Sequence, residues 1–179
     1  MEFFDKSKKP TGGGTKSIAF SALPMTHAEF AALPQAEMQS PYDTAAMFVL
    51  ALNAYTKNQI ESVAMMTFLK GFSTLSGREL QMLKTEMGQR NKGEFLARSY
   101  FAGAVPQNDY TPSQPYTVVV SDTPYSYDNQ GYAKLYVACG GADSPRPIML
   151  RQAKDGKWYL WEQFLLPGIK PPASANPWA

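Results

Sequence analysis

Up to about residue 114, hydrophobic residues along this chain recur at helical spacing. Beyond it they come in short runs rich in Tyr, Val and Trp, separated by turn residues. Such a switch of period marks helices followed by strands. The segregation predicts one α+β domain, with N-terminal helices packed on a C-terminal antiparallel sheet of about four strands.

The helical signals are local and specific. Residues 1–17 are polar, carry Gly12-Gly13-Gly14, and predict a flexible tail; residues 18–166 hold the domain. Ile18 to Phe20 can open it as an edge strand. Thr26 and Glu29 form a Thr-x-x-Glu start for a short helical turn. Ser40, Pro41 and Asp43 supply an N-cap, a first-turn proline and a first-turn charge for a helix running to about Tyr55. Ala45 to Leu52 are apolar on nearly every side, which places that helix near the centre. Asn58 with Glu61 starts the next helix, and Gly71 closes it. Ser76 with Glu79 starts another, with Leu80, Leu83 and Met87 on one face and Gly88 at its end. A further helical segment, Glu94 to Phe101, lies between Gly93 and Gly103.

After a connection from Asp109 to Pro115, Tyr116 to Val120 reads as a strand. From Gln130 to Ala138 the alternation is clean, with Ala133, Leu135 and Val137 on one face and Tyr132, Lys134 and Tyr136 on the other. Ile148 to Ala153 and Lys157 to Gln163 flank Asp155-Gly156, a strong hairpin signal. Trp158 and Leu160 are expected inside, and Trp161 on a ligand-facing or partner-facing surface. Pro167, Pro171, Pro172 and Pro177 make residues 167–179 a proline-rich tail, which Ile169 and Trp178 can pin to the body.

Composition narrows the function classes. The formal charge of +2, from 17 basic and 15 acidic residues, supplies no strong field for nucleic acid. No apolar run is long enough to span a bilayer, and no signal peptide is legible; export is left open. A lone Cys139 excludes an intrachain disulfide.

Candidate chemistry is sparse. His27 and Cys139 are the only imidazole and thiol, which disfavours zinc and predicts no metal or cofactor. Both fit structural roles: His27 beside a helix start, and Cys139 in phase with a buried strand face. Gly12-Gly13-Gly14-Thr15-Lys16 lacks the spacing of a phosphate loop. Asp122 and Asp128 fit ordinary turn solvation, and Met65-Met66 fits core packing. Lys134, Arg151 and Lys157 share a sheet surface with Tyr132 and Tyr136, which suits a carboxylate, a glycan or a protein as well as it suits a stable exposed face.

The stretch Leu150-Arg151-Gln152-Ala153-Lys154-Asp155-Gly156-Lys157-Trp158-Tyr159-Leu160, following several helices, resembles the NTF2-like, cystatin-like α+β class, among small bacterial proteins of unknown function. The resemblance implies a curved sheet wrapped around helices, a pocket between them, and pairing of exposed sheet faces into a homodimer. Enzymes of that class place Asp, His, Tyr or Arg in the pocket; His27 lies outside the similar region, so no His-Asp pair carries over.

Together these features favour a non-catalytic binding or protein-interaction domain. Its recognition residues are Tyr132, Tyr136, Arg151 and Trp161, and its ligand is a protein, a glycan or a small molecule. A competing reading is a small-molecule enzyme whose pocket recruits Tyr100, Asp109 and Tyr116. A third is a structural protein of the cell envelope.

Overall fold

The computed structural model describes residues 14–178. Its centre is the helix that the Ser40-Pro41 start requires. Ser40 Oγ accepts the Tyr42 N–H, and α2 (Pro41–Ala54) follows with every residue buried except Asp43. A helix apolar all round must be enclosed. It is enclosed by α3 (Gln59–Lys70), α5 (Arg90–Arg98) and one face of the sheet.

Three further helices start at the expected caps. Thr26 Oγ1 accepts the Glu29 N–H at the head of α1 (His27–Ala31), while the Glu29 carboxylate reaches back to the N–H of Met25. Asn58 Oδ1 caps α3, and Ser76 and Glu79 bond reciprocally at the start of α4 (Gly77–Met87). Leu83 and Met87 of α4 are buried as its spacing requires, but Leu80, on the same face in the first turns of the helix, is exposed.

Five strands, one more than expected, form a single antiparallel sheet in the order β1-β2-β3-β4-β5, with all the α-helices between β1 and β2. They are β1 (Thr15–Phe20), β2 (Tyr116–Ser121), β3 (Tyr132–Val137), β4 (Arg146–Gln152) and β5 (Trp158–Gln163). Val118, Val120, Ala133, Leu135, Val137, Ile148, Leu150 and Leu160 turn inward onto α2 and its neighbours.

Several boundaries differ from the sequence reading. The first strand begins at Thr15, so Thr15, Lys16 and Ser17 belong to the sheet, opposite Ser121, Val120 and Val119. Backbone ladder bonds hold these polar residues, and such bonds leave no hydrophobic signature. The rest of the expected tail, residues 1–13, lies outside the described residues. The last helix runs from Arg90 to Arg98 rather than from Glu94 to Phe101. Gly93 lies inside it, where a β-carbon would meet the Met87 carbonyl and Thr56; close approach, not helix ending, explains this glycine. Trp158 is half-buried against Tyr127, while Leu160 is fully inside.

Past Leu166 the chain stays attached to the body. Ile169 is buried, the Lys170 N–H donates to the Gly141 carbonyl, and Tyr110 Oη donates to the Lys170 carbonyl. Trp178, the other expected anchor, is exposed instead. No helix of the described residues is long and apolar enough to cross a membrane.

Candidate functional site

A broad concavity lies along β5, an edge strand of the sheet. One wall is the link from α3 to α4 and the first turns of α4. The other is β5 and the β4–β5 hairpin. The groove encloses about 1200 Å³.

Local sequence builds each wall. Lys70 ends α3, and Gly71 follows with φ +69°, a conformation suited to glycine. That turn throws Phe72 outward, where its ring packs 4.9 Å from the ring of Tyr159. The Ser76–Glu79 box then starts α4. Lys70 Nζ bonds Glu79 Oε1 at 2.6 Å and ties the two helices together. Burial by itself would raise the Glu79 carboxyl, but Lys70 and Ser76 more than offset this and hold it below its ordinary range.

On the opposite wall, the register between β4 and β5 shifts. Leu150 faces Leu160 while Met149 faces Glu162, so Trp161 is an extra residue on β5. A bulge of this kind re-aims side chains, and Trp161 and Glu162 both emerge exposed. The Arg151 guanidinium lies 4.7 Å from the Trp161 ring centroid and 5.3 Å from that of Tyr132. Tyr132 and Trp161 meet edge to face at 5.6 Å. Three residues from three strands thus hold one cation between two aromatic faces.

The hairpin end is polar. Tyr159 Oη donates to Asp155 Oδ2 at 2.6 Å, and the Lys157 N–H donates to Asp155 Oδ1 at 2.9 Å. The Tyr159 hydroxyl and then the Lys157 amide hold the Asp155 carboxyl below its usual range. Burial, followed by Asp155, pushes Tyr159 up to about 12.

Four large apolar side chains open onto the groove: Phe72 at 76% exposure, Trp161 at 45%, and Met82 and Phe164 at 41% each. Their clustering is informative where a single exposed apolar residue would not be. Arg78, Arg151 and Lys154 also line it and form no ion pair among the described residues, whereas Lys70 is neutralised by Glu79.

Of the residues singled out from sequence, Arg151 and Trp161 line this groove and Tyr132 supports them. Tyr136 shares the outer face but lies opposite Pro147, away from the groove. Tyr100, Asp109 and Tyr116 do not gather in it. Tyr100 is buried and its hydroxyl donates to the Leu165 carbonyl. Asp109 accepts from Ser174 Oγ at 2.6 Å, and Tyr116 packs its ring against Phe101. These three residues lie in separate contacts and none of them lines the β5 groove.

The other chemical candidates take structural positions. His27 packs edge-on against Phe68, and Met65 and Met66 are fully buried. Cys139 is half-buried, its Sγ 3.3 Å from Ser99 Oγ. Asp122 accepts the Gly14 N–H. Among the described residues, no three His, Cys, Asp or Glu side chains gather as metal ligands. Of the missed groove residues, Met82 is apolar yet lies off the Leu83–Met87 face of α4, while Phe72 and Phe164 are apolar residues just past the ends of α3 and β5.

No curated protein and no solved structure matches the chain. A family model described as "Domain of unknown function (DUF6935)" matches residues 22–173, from just after β1 to the pinned tail, and the chain belongs to that family.

Proposed function

We propose that this domain is a non-catalytic binding module whose site is the groove beside β5. The observation that carries this reading is the convergence of Phe72, Met82, Trp161 and Phe164 around the aromatic-held guanidinium of Arg151. Exposed aromatics and an arginine that forms no ion pair among the described residues match the residues that dominate binding energy at interfaces. Apolar walls desolvate a ligand, and Arg151 fixes its polar end. The order of helices before a meander, with a groove between them, also supports the proposed likeness to the NTF2-like, cystatin-like class.

The test uses the full chain as bait. Trp161→Ala and Arg151→Ala should each lose a partner captured by the unaltered protein, while circular dichroism shows an intact fold. Capture undiminished in both variants would remove the groove as the binding site.

A further inference from the structure

The main chain of β5 offers little to a ligand. The Trp158 N–H donates to the Met38 carbonyl at 2.9 Å, its carbonyl accepts from Thr44 Oγ1 at 2.7 Å, and Leu160 is buried. Recognition in the groove therefore falls to side chains, and those that reach it are of two kinds. Phe72, Met82, Trp161 and Phe164 are apolar and exposed. Arg78, Arg151 and Lys154 are cationic, exposed, and in no ion pair among the described residues. A concavity with apolar walls and a few convergent polar groups is the ordinary form of a small-molecule site.

Charge selects the head of the ligand. Lys70 is matched by Glu79, and Asp155 is engaged by the Tyr159 hydroxyl and the Lys157 amide. Among the lining residues this leaves Glu162 against Arg78, Arg151 and Lys154, so the concavity attracts an anion. Arg151 is the best prepared to meet it. Its guanidinium lies against the rings of Trp161 and Tyr132, and its N–H donors meet no protein acceptor among the described residues. A guanidinium presents a planar fork of donors that matches two oxygens of a carboxylate or a phosphate. Because the rings already hold this side chain, less rotamer freedom is lost on binding.

The groove is also polarised along its length. Arg151 stands opposite Tyr159, and Lys154 lies in the adjoining hairpin, whereas Phe164 lies just past the other end of β5. From Tyr159 to Phe164 the strand runs roughly 15 Å, the reach of a medium-length acyl chain. We infer that the groove takes a small amphipathic oxyanion. Its carboxylate or phosphate head meets Arg151, with Arg78 and Lys154 adding to the field, and its apolar body lies along Trp161 and Met82 toward Phe164. This inference rests on the binding-module reading and names the ligand class of that site.

The experiment titrates the full chain by calorimetry with decanoate, decyl phosphate and decanol, which share one body and differ in the head. An anion should bind about 10-fold or more tighter than decanol, the worth of a charge-assisted hydrogen bond. Arg151→Gln should weaken the anions by about that factor and leave decanol within about twofold. Met82→Ser and Phe164→Ser should weaken all three ligands, with circular dichroism showing each variant folded. Either anion ahead of decanol supports the inference, and the tighter of the two names the head. Decanol binding as tightly as both anions, with the wall substitutions still weakening it, would overturn the anionic head and leave the groove as a binding site. An anion preference that survives Arg151→Gln would also overturn the inference. So would the absence of saturable binding, or binding indifferent to both wall substitutions. In those last two cases, capture of a partner protein lost in Trp161→Ala would still uphold the binding module, with a macromolecule as its ligand.

Discussion

The ring of Tyr159 fills the space that a β-carbon at Gly71 would need. This one contact joins the end of α3 to the edge strand and sets the width of the groove at its hairpin end. It also explains why position 71 is glycine twice over, through its φ of +69° and through the approaching ring. Gly71→Ala should cost about 1–3 kcal/mol from backbone strain, with a further cost from the ring. Urea unfolding measures the total. Adding Tyr159→Ala to Gly71→Ala should return the steric part, read as a coupling energy in a double-mutant cycle.

Tyr100 ties the helical layer to the segment after β5. Its hydroxyl is buried and serves the Leu165 carbonyl, and burial raises its pKa strongly. Tyr100→Phe keeps the ring but leaves a buried carbonyl without its donor. The expected loss is about 1–3 kcal/mol, with the fold otherwise preserved. Unfolding free energies equal in the two proteins would contradict that role.

Tyr159 should titrate near 12, with burial as the larger cause and Asp155 as the second. Asp155→Asn removes the anion but not the burial. Ultraviolet titration of the variant should therefore give a value lower than in the parent and still above an ordinary tyrosine.

Acid should weaken the tie between α3 and α4. The Glu79 carboxyl sits below its ordinary value of 4.5 in the folded chain. Its stabilisation is therefore complete above the unfolded value and is lost as pH falls through the folded one. At neutral pH the parent should melt above Glu79→Gln, and the gap should close as pH falls below the ordinary carboxyl value of 4.5. A gap independent of pH would show that Lys70 does not favour the ionised form.

Trp161 is a surface residue whose visible stabilising contacts are Arg151 and Tyr132. Trp161→Ala should therefore cost only about 1 kcal/mol or less in stability. A thermal melt close to that of the parent, combined with lost binding, separates recognition from folding.

Helix starts were legible because capping is a contact between near neighbours in sequence. Ser40 with Tyr42, Asn58 with Glu61 and Ser76 with Glu79 depend on nothing distant. The clean alternation of β3 was legible for a similar reason: its pleat puts every second residue inside whatever the neighbouring strands are. The first strand was legible only where Ile18 and Phe20 turn inward. Lys16 and Ser17 are held by the backbone of β2, and no side-chain pattern records that pairing.

The chain by itself determined the α+β order, the buried central helix, the Asp155-Gly156 hairpin and an outer face carrying Tyr132 and Arg151. These follow from periodicity and short-range hydrogen bonding, which act within a few residues. Only the tertiary structure decided that Phe72 and Met82 stand across from Trp161, that the bulge presents Trp161 beside Arg151, and that Tyr100 and Asp109 lie apart from that groove. Contacts between segments so far apart depend on how whole elements pack, and packing is satisfied by many local sequences.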